Sequence, residues 1–171
     1  ETYIFCLAEF DSKLYAGTGP NSNLLEWNGT NAWVEKAPKY GSETYIYCLA
    51  EFDNKLYAGT GNAGGNLLEW NGTDAWIQKA PKHDSETYIR SLTVFDGKLY
   101  GTTGPNGNLV EWNGTNAWVE KAPKYGSETY VMFSIVFDSK LYGGTYPNSN
   151  LLEWSPSVVT PYSAIFFGMN F

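Results

Sequence analysis

The chain is one phrase written four times. Glu-Thr-Tyr opens a copy at Glu1, Glu43, Glu86 and Glu128. Lys-Leu-Tyr returns at Lys13, Lys55, Lys98 and Lys140, and Glu-Trp at Glu26, Glu69, Glu111 and Glu153. The period is about 42 residues, the spacing of solenoids, propellers and arrays. In such chains a single repeat cannot bury its apolar surface and must stack on its neighbours. The copies span 1–42, 43–85, 86–127 and 128–171, and the 171 residues read as one domain.

Each copy reads as four short strands. In the second, the run Thr44–Phe52 is rich in β-formers and Asp53-Asn54 supplies a turn. Lys55–Thr60 is a second run, closed by the glycine-rich stretch 61–65, and Asn66–Trp70 is a third. Asn71-Gly72 begins the next turn and Ala75–Ala80 is the fourth run. Strands this short, bounded by Gly, Asn and Asp at regular spacing, predict an all-β fold. No segment carries helical periodicity. Four antiparallel strands in about 40 residues describe one blade of a β-propeller. The expected fold is therefore a β-propeller of four near-identical four-stranded blades. Trp27, Trp70, Trp112 and Trp154 on third strands, and Trp33, Trp76 and Trp118 on fourth strands, are expected to pack between blades. Three arrangements fit: a ring closed by one chain, a homo-dimer forming one eight-bladed ring, or part of a longer propeller. After Trp154 the pattern changes. Ile165, Phe167, Met169 and Phe171 alternate as a strand does, and are expected to supply the outer strand of copy four.

Several residues carry a family likeness: Asp96-Gly97-Lys98-Leu99-Tyr100, the Gly143-Gly144 doublet after Tyr142, and the pairs Trp27/Trp33, Trp70/Trp76 and Trp112/Trp118. Over residues 1–154 the pattern resembles kelch-type propeller repeats. Its near-identical blades are also similar to those of tachylectin-like propeller lectins. The first resemblance implies protein interaction or assembly, the second carbohydrate binding.

Charge and residue scarcity narrow the chemistry. The net charge is −7, with one arginine, Arg90, and one histidine, His83, so a nucleic-acid partner is not expected. No apolar run approaches the roughly 20 residues of a membrane-spanning helix. Cysteine and histidine lack zinc-ligand spacing, and neither a metal nor a cofactor is expected. Glu9 and Glu51, replaced by Val94 and Val136 in the other copies, read as solvated groups of the inner strands rather than a catalytic pair. No nucleophile and base stand in a recognisable pattern, so the chain is read as non-enzymatic. Cys6 and Cys48 are expected as free buried thiols, because Ser91 and Phe133 fill the same position elsewhere. Asn-Gly-Thr at Asn28, Asn71 and Asn113 matches the glycosylation acceptor but reads first as turn chemistry. The chain begins at Glu1 with no visible targeting segment, and the class suggests an extracellular or cell-surface location.

The copies differ in few places, and most fall on one rim. Phe5, Tyr47, Arg90 and Met132 occupy one position near the start of the inner strand. Tyr40, His83 and Tyr125 share a linker position, and Tyr146 stands in a loop that varies between copies. These eight are the candidate ligand-binding residues, although drift on an unconstrained rim also produces such variation. Changes at Ala8/Thr93 and Leu7/Ser134 lie outside this pattern. The expected function is a multivalent, lectin-like carbohydrate binder. The alternative is a protein-interaction or structural assembly scaffold, excerpted from a larger surface protein.

Overall fold

The computed structural model describes residues 2–156 and the backbone of 167–169. The first unit is β1 (Tyr3–Phe10), β2 (Lys13–Gly19), β3 (Leu24–Trp27) and β4 (Trp33–Ala37). The second is β5 (Tyr45–Phe52), β6 (Lys55–Gly61), β7 (Leu67–Trp70) and β8 (Trp76–Ala80). The third is β9 (Tyr88–Phe95), β10 (Lys98–Gly104), β11 (Leu109–Trp112) and β12 (Trp118–Ala122). The fourth is β13 (Tyr130–Phe137), β14 (Lys140–Tyr146), β15 (Leu151–Trp154) and the three-residue β16 (Phe167–Met169). Each unit is an antiparallel meander. β16 pairs with β15, Leu151 opposite Met169, as the alternation after Trp154 predicts. Ile165 and Phe171 lie outside the described residues.

Local chemistry sets the turns. The two residues joining β1 to β2, Asp11 and Ser12, both have positive φ, 49° and 57°, which matches the right-handed twist of a tight hairpin. Asp53-Asn54, Asp96-Gly97 and Asp138-Ser139 repeat it. The Asn-Gly-Thr segments are turns, as expected. Asn71 Oδ1 accepts the backbone N–H groups of Thr73, Asp74 and Ala75 at 2.8, 3.0 and 3.1 Å. Asn28 and Asn113 do the same.

The core lies between units, not within them. The leading face of unit 2 presents Ile46, Leu49, Leu56, Leu68, Trp70 and Trp76. It packs on the trailing face of unit 1, built from Cys6, Ala8, Phe10, Tyr15 and Leu24. The joint between units 2 and 3 repeats this with Ile89, Leu92, Leu99, Val110, Trp112 and Trp118 against Cys48, Ala50, Phe52, Tyr57 and Leu67. The approach is close because the trailing face carries glycine. A Cβ on Gly17 would overlap Ile46, and one on Gly59 would overlap Ile89. Burying each isoleucine contributes about 1.5–3 kcal/mol. Trp70, Trp76, Trp112, Trp118 and Trp154 pack between units as expected, while Trp27 and Trp33, on a face that no described unit covers, are only half-buried.

The third joint is a variant. Thr102 stands where Gly17 and Gly59 stand, while Val131 replaces isoleucine and Ser134 replaces leucine. Volume added on one face is given up on the other. The vacated space holds a hydroxyl chain: Thr93 and Ser134 share a 2.6 Å hydrogen bond, and Ser91 Oγ lies 3.0 Å from Ser134 Oγ. The changes at Thr93 and Ser134 that lay outside the rim pattern are thus one hydrogen-bonded pair.

The sheets do not close into a ring. Units 2 and 3 are bridged at Gly61 and Tyr88, but no strand of unit 1 pairs with unit 4 among the described residues. The two outermost faces are consequently open. Ile4 and Leu7 in unit 1 are 48% and 56% exposed. Phe133, Ile135 and Phe137 in unit 4 are 71%, 66% and 70% exposed. What stands is an all-β series of four stacked repeats with uncovered ends.

Candidate functional site

The position that varies most is set apart by the backbone. Pairing of β1 with β2 skips a residue between Ile4 and Cys6, and that residue is Phe5. The same bulge falls at Tyr47, Arg90 and Met132 in β5, β9 and β13. A bulge leaves its extra residue unpaired and re-aims its side chain. Here it releases one residue per unit from the stacking that fixes its neighbours.

These residues gather at one mouth. Tyr47, Tyr88, Arg90, Tyr130, Met132 and Tyr146 line an open cavity of about 230 Å³. The Arg90 guanidinium lies over three rings, 4.4 Å from the centre of Tyr47, 5.7 Å from Tyr88 and 5.5 Å from Tyr130. Electron-rich ring faces attract such a cation. Its Nη2 is 3.5 Å from the sulfur of Met132. Burial raises the Tyr47 hydroxyl above the usual tyrosine range, and the Arg90 charge offsets part of that. The rings run on as an arc across all four units. Phe5 to Tyr47 is 5.2 Å, Tyr47 to Tyr88 5.7 Å, Tyr88 to Tyr130 5.8 Å and Tyr130 to Tyr146 6.2 Å.

The eight candidates therefore divide. Tyr47, Arg90, Met132 and Tyr146 line the cup, and Phe5 extends its arc. Tyr40 and Tyr125 pack against the first and third joints. His83 Nε2 sits 3.6 Å from a carboxylate oxygen of Glu120 and 3.7 Å from one of Asp84. None of these three lines the cup. Tyr88 and Tyr130 do, and comparison of the copies missed them because every copy carries tyrosine there. A different signal was available: an invariant aromatic two residues before each variable one, on the same strand.

Two further arrangements recur. Clefts of about 280 and 200 Å³ open beside the first and second joints. One is lined by Phe10, Lys55, Glu69, Trp70 and Asn71, the other by the equivalent Phe52, Lys98, Glu111, Trp112 and Asn113. In the first, Glu69 accepts hydrogen bonds from Lys55 and Tyr57 at 3.1 Å, with Lys79 at 3.3 Å. Burial alone would raise this carboxyl, but these donors outweigh it and hold it below the usual range. Glu111 is held low in the same way by Lys98, Tyr100 and Lys121. Two of the glutamates that open the copies, Glu43 and Glu86, behave oppositely. Glu86 is fully buried and accepts the Asn106 N–H at 3.1 Å, tying down the loop between β10 and β11. Desolvation raises its carboxyl, as it raises that of Glu43. Both thiols are free and buried or half-buried, and burial pushes Cys6 up to about 12. Among the described residues, no three His, Cys, Asp or Glu side chains form a metal-binding group.

Repeated four-stranded β-units stacked in this way resemble a propeller-like design. No protein-family model and no curated protein matches the chain, so neither the kelch nor the tachylectin resemblance gains a family assignment. Among solved structures it is similar to the computationally designed Ika4 protein. The two share 12% identity with a TM-score of 0.64, over 90% of this chain and 91% of that one. The likeness is one of fold.

Proposed function

We propose that this chain is a non-enzymatic binding module of the β-propeller type, its repeats acting as blades, and that it takes carbohydrate at the aromatic cup. The observation that supports this is the cup itself: four tyrosines and one guanidinium around an open cavity, with Tyr47, Arg90 and Met132 of its lining carried on bulges outside the strand pairing. Ring faces stack on the C–H faces of a sugar, while phenol and guanidinium groups bond its hydroxyls. The recurrent clefts, each with an indole, a lysine and an amide, supply weaker repeated subsites, which gain avidity on a repeated glycan. An extracellular or cell-surface location follows from that ligand class. A thiol held protonated by burial is a poor nucleophile, which favours binding over catalysis.

The test is a glycan array followed by titration. The reading expects reproducible binding that falls at least tenfold in Tyr88→Ala and Arg90→Ala. Silence across a broad array turns the assignment to the protein-interaction and assembly reading, which the uncovered apolar end faces favour.

A further inference from the structure

The two open faces belong together. Each joint inside the chain sets a leading face, with its isoleucine and leucine, on a trailing face with its glycine. Unit 1 offers a leading face with no partner: Ile4 and Leu7 project where Ile46 and Leu49 are buried. Unit 4 offers a trailing face with no partner, and its Gly144 meets nothing within 4 Å of a Cβ. The third joint, with Thr102 against Val131, follows a different size rule. The free ends instead reproduce the first two joints, glycine against isoleucine. We propose that these faces are the two halves of one joint, and that two copies of this chain pair head to tail, unit 4 of each on unit 1 of the other, closing an eight-unit ring.

The composition of the trailing end supports a covered surface. End repeats that face water need a polar outer side. Unit 4 does the reverse. Phe133 and Ile135 stand where the inner units have Cys48 or Ser91 and Ala50 or Thr93. They lie on one face of β13 with Phe137, making a row of large exposed apolar side chains. Joining two unlike patches creates a heterologous contact, which ends only when the rotation closes. The new joint is not a strict copy. Tyr146 occupies the place of Gly61, against which Tyr88 lies, so Tyr3 of the second copy turns aside, and its exposed ring has room to do so. In the ring, Phe5 of one copy comes beside Tyr146 of the other, and the aromatic arc runs on without a gap.

Sedimentation of the 171-residue chain tests this. The expected species is a dimer, twice the 19.1 kDa chain mass. Ile4→Asp and Phe133→Asp each sit on an exposed face and should give folded monomers. Val34→Asp, on the exposed outer strand of unit 1, should leave the dimer intact. A cross-link fixes the geometry. Ile4→Cys mixed with Gly144→Cys should give a covalent dimer on oxidation, and neither variant alone should do so. A monomeric native chain, a filament or larger ring, a dimer indifferent to both aspartates, or no cross-link in the mixture would each overturn the proposal.

Discussion

Ile89 and Arg90 are consecutive residues in one strand and belong to different regimes. Ile89 is fully buried in the second joint, and the other units hold isoleucine or valine there. Arg90 sits on the bulge, and the other units hold Phe5, Tyr47 and Met132. The contrast shows what keeps the copies alike. Stacking inside a joint fixes side-chain volume, whereas a bulge residue stands outside the strand pairing and meets only other rim side chains at an open mouth. Constancy marks the joints of this molecule, and individuality marks its mouth.

The contrast breaks down if the joint tolerates what the rim tolerates. Ile89→Ala leaves a cavity in a joint that closes over glycine, and should cost about 2–5 kcal/mol in denaturant unfolding. Next in size, Glu111→Gln removes the charge that three donors satisfy, and should cost about 1–3 kcal/mol near neutral pH. The sign follows from its lowered carboxyl. The stabilisation is present above the ordinary carboxylate range and is lost as pH falls through the folded-state value. Melting curves of the two proteins should therefore converge in acid. Asn113→Ala deletes a side chain that accepts three backbone N–H groups, and should cost about 1 kcal/mol. Arg90→Ala, the smallest, removes the cation from over three rings and should cost about 0.5–1 kcal/mol while weakening cup binding. If Arg90→Ala unfolds the protein, the bulge row is structural.

A pH scan sharpens the same comparison. Glu86 has a raised carboxyl, so its contribution is fully present below the ordinary carboxylate range and lost as pH rises through its folded value. Glu86→Gln keeps an oxygen for the Asn106 N–H. Its melting temperature should gain on the native chain as pH rises above the ordinary carboxylate range, opposite in trend to Glu111→Gln.

Much of this was legible in the sequence, and the failures have physical causes. Strands, turns and joints could be read because repetition shows the same local pattern four times. The Asp-Ser and Asn-Gly-Thr turns follow from residues that tolerate or cap them. The bulge could not be read, because an unpaired residue leaves the spacing of the chain unchanged and appears only against the partner strand. That Tyr40 and Tyr125 pack against joints rather than line the cup could not be read either, because variation on a linker does not report where the side chain turns. The Thr93–Ser134 pair joins residues 41 apart, and no local pattern reports such a distance. Whether the series closes depends on how each unit sits on the next, which spacing along the chain does not encode.

The substitution of Thr102 and Val131 for glycine and isoleucine has a consequence for assembly. Near-identical modules in tandem can dock out of turn as they fold. A module that ends in Thr102 is mismatched to one that leads with Ile46 or Ile89, because the threonine side chain fills the space those isoleucines occupy at Gly17 and Gly59. The third module therefore accepts the fourth and rejects the others. The Thr102–Val131 pair keys the fourth module to the third, while the glycine–isoleucine joints share one size rule, as a single keyed tooth fixes the place of one link in an otherwise uniform chain.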